Sequence, residues 1–142
     1  MKLSTKGHYG LKAIFDLALH SKTKEPIPLK IIAQRQNLSE YYLEQLFATL
    51  RKAGLVKSVR GASGGYLLAR EPAEIRVGDI IRALEGPIDL VECVSESGEP
   101  DCGNAGNCIT RSVLARVRDS ITEVLDSTTL EDMCREAQEV NR

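Results

Sequence analysis

Nowhere does this chain of 142 residues approach the roughly 18 uninterrupted apolar residues that a membrane-spanning helix needs, so no membrane association is expected. Its opening segment, Met1 to His8, has neither an apolar run nor a small-residue cleavage site, and a cytoplasmic location is expected. There are only two histidines, no HExxH, no Ser/His/Asp set and no paired carboxylates in a recognisable frame, so an enzyme is not expected. No GxxxxGK[ST] order is present, which removes the usual phosphate-cradling loop. No CxxC knuckle is present either, which weakens zinc as a ligand of the cysteines. Lysine is missing from residues 71–142, and no internal repeat is visible.

What remains is a soluble composition, 42% hydrophobic and 27% charged, sufficient for one ordinary domain or a small domain with a helical arm. The net charge of −1 conceals a division. Residues 1–70 carry 12 Lys/Arg against 4 Asp/Glu, whereas residues 71–142 carry 7 Arg against 16 Asp/Glu. A basic half suits a polyanionic partner, and an acidic half suits another task; a tail folding back on its own head would also produce the division.

Apolar periodicity places a first helix after Ser4 or Thr5, with Leu11, Ile14, Phe15, Ala18 and Leu19 as its inner stripe. Pro28 stands near the start of a second helix that turns Leu29, Ile32 and Ala33 inward and can close in a left-handed turn at Asn37. Ser39 caps a third helix, Glu40 to Ala53, with Tyr42, Leu43, Leu46, Phe47 and Leu50 on its buried face and Gly54 as its stop. Two helices joined by so tight a turn fit helix-turn-helix geometry. The β-branched run 55–60, a glycine-rich tip and the return run 66–69 read as a hairpin, the wing. Val77 to Leu84 is a short helix stopped by Gly86-Pro87. A polar loop covers 93–108, a long helix runs from Ile109 to the Ser127-Thr128-Thr129 break, and a last helix runs from Leu130 to about Val140. The expected fold is mainly α with a small β-hairpin: a winged helix-turn-helix domain over 1–86, then 87–142 holding the cysteine loop and a long helix. The long helix shows apolar spacings of three and four that a lone chain would struggle to bury, so pairing with a second copy is its natural use. Packing back on its own domain is the alternative.

The third helix offers Ser39, Glu40, Tyr41, Glu44 and Gln45 at its N-terminal end, with Thr49 and Lys52 further on. That end is where a recognition helix meets base edges in the major groove; Gln45 can pair with adenine and Glu44 can accept from cytosine. Arg60 stands at the wing tip, positioned for a phosphate or a minor groove. Lys6, Lys30, Arg51, Lys52 and Lys57 are the expected phosphate contacts. The same side chains could also be merely the solvated faces of a small helical domain.

Cys93, Cys102 and Cys108 form C-x8-C-x5-C within 16 residues. Three thiolates on so short a chain can converge on one soft metal centre, and an iron–sulfur cluster tolerates a fourth ligand of another type. His8, His20, Glu96, Glu99 and Asp101 are the candidates for that ligand; free or redox-paired thiols, or zinc, are the other readings. Cys134, beside Met133 on the last helix, reads as a packed small hydrophobe.

The segments Lys2-Leu-Ser-Thr-Lys-Gly-His-Tyr-Gly10, Leu38-Ser-Glu-Tyr-Tyr-Leu-Glu-Gln45, Gly54-Leu-Val-Lys-Ser-Val-Arg-Gly61, Gly64-Gly-Tyr-Leu-Leu68, Val77-Gly-Asp-Ile-Ile-Arg82, Leu84-Glu-Gly-Pro87 and Thr128-Thr-Leu-Glu-Asp132 resemble the IscR/NsrR/CymR family of bacterial winged-helix transcription regulators. The resemblance runs through nearly the whole chain. It implies a homodimer joined by the long helix that binds an inverted-repeat operator in double-stranded DNA. Its DNA-reading positions fall on Ser39, Tyr41, Glu44, Gln45 and Arg60, and in IscR-like members a glutamate at the Glu44 position helps to distinguish two operator classes. The loop cysteines match the cluster-binding cysteines of IscR and NsrR, which CymR-type members lack. The first gap is eight residues against the usual five, and Arg111 stands where IscR-type members have a histidine. By resemblance to NsrR-type members the fourth ligand falls on His8, from the partner subunit. The expectation is a cytoplasmic regulator that senses iron–sulfur status through a cluster on Cys93, Cys102 and Cys108, 2Fe–2S in preference to 4Fe–4S, with cluster-biogenesis genes as targets. A nitric-oxide-sensing 4Fe–4S repressor and a cysteine-metabolism repressor acting through a partner protein are the alternatives.

Overall fold

A computed structural model describes residues 3–88 and 108–141. Helix α1 (Thr5–Leu19) starts where the Ser4 side-chain oxygen accepts from the Gly7 N–H. Helix α2 (Leu29–Gln36) follows Pro28 and closes at Asn37, whose φ of 54° and ψ of 48° are left-handed. Helix α3 (Glu40–Lys52) is capped by Ser39, whose oxygen accepts from the Tyr42 N–H at 3.0 Å. At Gly54 the chain reverses with φ +78°, a conformation that a side chain would strain, and enters the wing.

Strands β1 (Val56–Val59) and β2 (Gly65–Leu68) pair antiparallel, Val56 opposite Leu68 and Val59 opposite Gly65. Ile27, in the connection between α1 and α2, exchanges backbone hydrogen bonds with Tyr66 at 3.0 and 2.9 Å and so fastens the hairpin to the head. A 3-10 turn at Pro72–Glu74 leads to α4 (Val77–Glu85), and α5 (Ile109–Ser127) and α6 (Leu130–Val140) complete the described chain. The expected winged helix-turn-helix fold, mainly helical with one small hairpin, is observed.

One core collects Ile14 and Leu17 of α1, Ile32 of α2, Leu43, Leu46, Phe47 and Leu50 of α3, Leu55, Ile75, Ile80 and also Leu130 of α6. The inner face of α1 differs from its expected stripe. Ala13, Ile14, Leu17 and Ala18 are buried, whereas Leu11, Phe15 and Leu19 are half-buried. The cause is position: α1 packs against α2, α3, α4 and α6 at once, so more than one side is covered. Where α1 crosses α4, Gly7 and Gly10 leave the space that Glu85 and Leu84 occupy.

Helix α5, about 28 Å long at 1.5 Å per residue, behaves differently. No residue of it is fully buried among the described residues, and Val113 and Val117 are 43% and 42% exposed. Its C-terminal end is nevertheless fixed. Val77 N–H donates to the Thr128 carbonyl at 2.8 Å, and Leu130 N–H donates to the Ile75 carbonyl at 3.0 Å. The long helix therefore leaves the head as a rod anchored at one end.

Candidate nucleic-acid interface

The recognition helix is held from both sides by aromatic contacts that its sequence pattern did not reveal. The Tyr9 ring of α1 meets Tyr42 edge-on at 6.5 Å, and Phe47 packs on Tyr66 of the wing at 4.9 Å. With Leu43, Leu46, Phe47 and Leu50 buried, Tyr41, Glu44 and Gln45 face outward, and Tyr41 is 70% exposed. The oxygen of Ser39 is used as the helix cap, which leaves its hydroxyl hydrogen to donate elsewhere. Thr49 does not join this exposed set. It is half-buried, and its hydroxyl donates back to the Gln45 carbonyl at 3.2 Å.

Lys6 is brought to the same place. Ser4, Thr5 and Lys6 of the first turn of α1 line a shallow cleft with Tyr42, Gln45, Leu46 and Thr49. Arg51 lies in the last turn of α3, about 18 Å along the axis from Ser39. Arg60 is exposed where β1 ends. An outward row of hydrogen-bonding groups flanked by cations at both ends can read bases in the middle and hold phosphates at the edges.

A second polar constellation lies beneath this surface. Asp16, 4% exposed, is the one buried charged residue among the described residues. Arg35 Nε donates to its two carboxylate oxygens at 3.1 and 3.0 Å, Arg35 Nη2 reaches Oδ1, and Gln36 Nε2 donates to Oδ2 at 2.9 Å. The hydrogen bonds between Arg35 and Asp16, together with the carboxylate charge, hold the guanidinium above its ordinary range against the opposing effect of burial. The group sets α2 on α1 and hence the turn that aims α3. The sequence signal for it was an acid set between the core positions Ile14 and Leu17.

Of the expected metal ligands, Cys93 and Cys102 lie outside the described residues. Cys108 is half-buried at the N-cap of α5 with no side-chain capping bond, so its thiol is not committed to the helix. His8 is exposed on α1, its ring tilted against Tyr9 at 5.3 Å. Among the described residues no three His, Cys, Asp or Glu side chains are gathered for a metal. Cys134 is half-buried beside the core, and desolvation, aided by Glu131, pushes its thiol pKa up, as for a packed hydrophobe. No described helix is long and apolar enough to cross a membrane.

Residues 3–136 match the family described as Rrf2, iron-dependent transcriptional regulator. The transcriptional regulator CymR of Bacillus subtilis is 56% identical over 133 residues, covering 94% of this chain and 89% of that protein. The solved structure of CymR (YrzC), the global cysteine regulator of B. subtilis, superposes with a TM-score of 0.80 at 54% identity, covering 96% of this chain and 98% of that one. The structure of T. potens IscR superposes with the same TM-score of 0.80 at 56% identity, covering 100% of this chain and 92% of that one.

Proposed function

This chain belongs to the Rrf2 family of transcriptional regulators, and from that membership we propose a homodimer that reads an inverted-repeat operator and responds to iron–sulfur status. It is a DNA-binding regulator and not an enzyme, as its relatives' names indicate. In the proposed complex Ser39, Tyr41, Glu44 and Gln45 meet base edges, Arg60 enters a groove from the wing, and Lys6 and Arg51 hold phosphates. Pairing through α5 is supported by its exposed apolar residues: Ile109, Val113, Val117 and Val124 fall within about 80° of arc at 100° per residue. As a transcription regulator such a dimer would work in the cytoplasm, where its cysteines stay reduced.

The observation that carries the sensing role is C-x8-C-x5-C itself, with Cys108 uncommitted at the N-cap of a rod whose far end is anchored to the head. The donor set fits an iron–sulfur cluster, 2Fe–2S before 4Fe–4S: three soft thiolates from Cys93, Cys102 and Cys108, with His8 of the partner subunit as the fourth ligand. Such a cluster, when bound, supplies redox and occupancy signals. The residues of this chain convert them to motion, because ordering Cys108 positions the start of α5 and α5 sets the spacing of the two heads. Control of cluster-biogenesis genes follows from that input.

The similarity to CymR supports a second reading, a cysteine-metabolism repressor that acts through a partner protein. One preparation separates the two. Protein purified without oxygen should be brown, carry stoichiometric iron and sulfide, and change its affinity for promoter DNA when the iron is chelated. Colourless protein that still binds DNA, with regulation unaltered by Cys93→Ala, Cys102→Ala and Cys108→Ala, would favour the CymR-like reading.

A further inference from the structure

We propose that Glu85 is a positioning residue for DNA binding, one that holds the first turn of α1 so that Lys6 stands at the recognition cleft. An acid so near a DNA-facing turn is unexpected on charge alone, and its contacts supply a reason. The Ser4 N–H donates to Glu85 Oε1 at 2.7 Å, and the Ser4 hydroxyl donates to the same oxygen. With its proton so directed, the Ser4 oxygen turns a lone pair to the Gly7 N–H at 3.3 Å. One carboxylate thus fixes both the cap residue and the cap's orientation, and its charge suits the positive end of the helix dipole.

The space for this contact is built into the packing. A Cβ on Gly7 would meet the Glu85 carboxylate, and a Cβ on Gly10 would overlap Leu84. On the other side of the cap, Ser4, Thr5 and Lys6 line the cleft with Gln45 and Thr49. Glu85 lies three residues after Arg82, one turn along α4, and Arg82 is joined to Asp126 of α5. Helix α4 therefore touches the rod at one turn and the DNA-facing turn of α1 at the next. Displacing α4 would move Lys6 relative to Gln45.

The inference rests on Lys6 being a phosphate contact, and the test separates the two claims. Intact protein, checked by circular dichroism to be fully folded at the assay temperature, is titrated onto a mixed-sequence duplex of about 30 base pairs, whose binding is phosphate-driven, across about 50 to 200 mM salt. Removal of an acid should tighten DNA binding if charge alone matters. Glu85→Gln is instead expected to weaken it by about threefold to tenfold and to reduce the log–log salt slope by about one per subunit, as Lys6→Ala does. Adding Glu85→Gln to Lys6→Ala should cost nothing further, and Ser4→Ala should reproduce part of the effect. Equal or tighter binding by Glu85→Gln, or an unchanged slope with additive losses, overturns the clamp. An unchanged slope in Lys6→Ala removes the phosphate contact on which the proposal stands.

Discussion

Arg82 of α4 and Asp126 of α5 face each other in a two-point ion pair, Nη1 to Oδ1 at 2.7 Å and Nη2 to Oδ2 at 2.9 Å. With the backbone bonds on either side of Thr129, this pair anchors the long helix to the winged head. Gly78 makes room for it, since a Cβ there would collide with the Asp126 carboxylate.

The hydrogen bond from Arg82, with its charge, holds the Asp126 carboxyl below its ordinary value of 3.8. Because the folded value is the lower one, the stabilisation is complete above the unfolded value and is lost as pH falls through the folded one. Asp126→Asn should cost about 1 kcal/mol at neutral pH, as expected of a half-buried two-point pair, and much less near pH 3. Urea denaturation at the two pH values checks this; an equal cost at both would mean that the charge contributes nothing.

Asp16 presents a larger liability. Arg35→Ala would leave its buried carboxylate without its main partner, at a cost of about 3 kcal/mol and a melting temperature lower by about 10 °C. Replacing both partners by apolar residues, Asp16→Leu with Arg35→Met, should recover much of that loss. Calorimetry of the three variants decides it, and a double variant as unstable as the single one would contradict the argument.

Base reading and phosphate holding should separate by mutation. Gln45→Ala is expected to lose about 1–3 kcal/mol on a duplex selected from a randomised pool and little on duplexes already altered at the base it reads. Arg51→Ala should weaken all duplexes alike and lower the salt slope by about one per subunit. Anisotropy titrations on both kinds of DNA make the comparison.

The rod predicts assembly. Val117 is 42% exposed, so Val117→Glu should leave the head folded but place a charge in the proposed α5 pairing. Sedimentation is expected to show the parent as a dimer and the variant as a monomer at micromolar concentration. A variant that keeps the parent's mass would remove α5 from the interface.

Much of the head was legible because its signals are local. Ser39, Asn37 and Gly54 act through their own backbone dihedrals and nearest N–H groups, and they mark the turn and both ends of the recognition helix where the structure has them. Tyr41, Glu44 and Gln45 face outward because the period of 3.6 that buries Leu43, Leu46, Phe47 and Leu50 leaves them no other side. Thr49 was misjudged by the same periodicity: a single back-bond to Gln45 and the neighbouring α1 turn remove it from the exposed row.

The element order, the caps, the outward row of α3 and the three closely spaced cysteines can be read from the amino acids alone, since each depends on residues a few positions apart, and the charge division is a matter of composition. That α1 is covered on several sides, that Asp16 belongs to Arg35 and Gln36, that Arg82 holds Asp126 and that Glu85 holds Ser4 emerges from the packed molecule and from nothing local. Those partners are separated by up to 81 positions, and no periodicity reaches so far. They meet because burial of one shared core brings α1, α2, α4 and α6 to fixed distances, with the end of α5 carried along by its link to Leu130, and polar groups brought together on the way find the partner that the packing supplies.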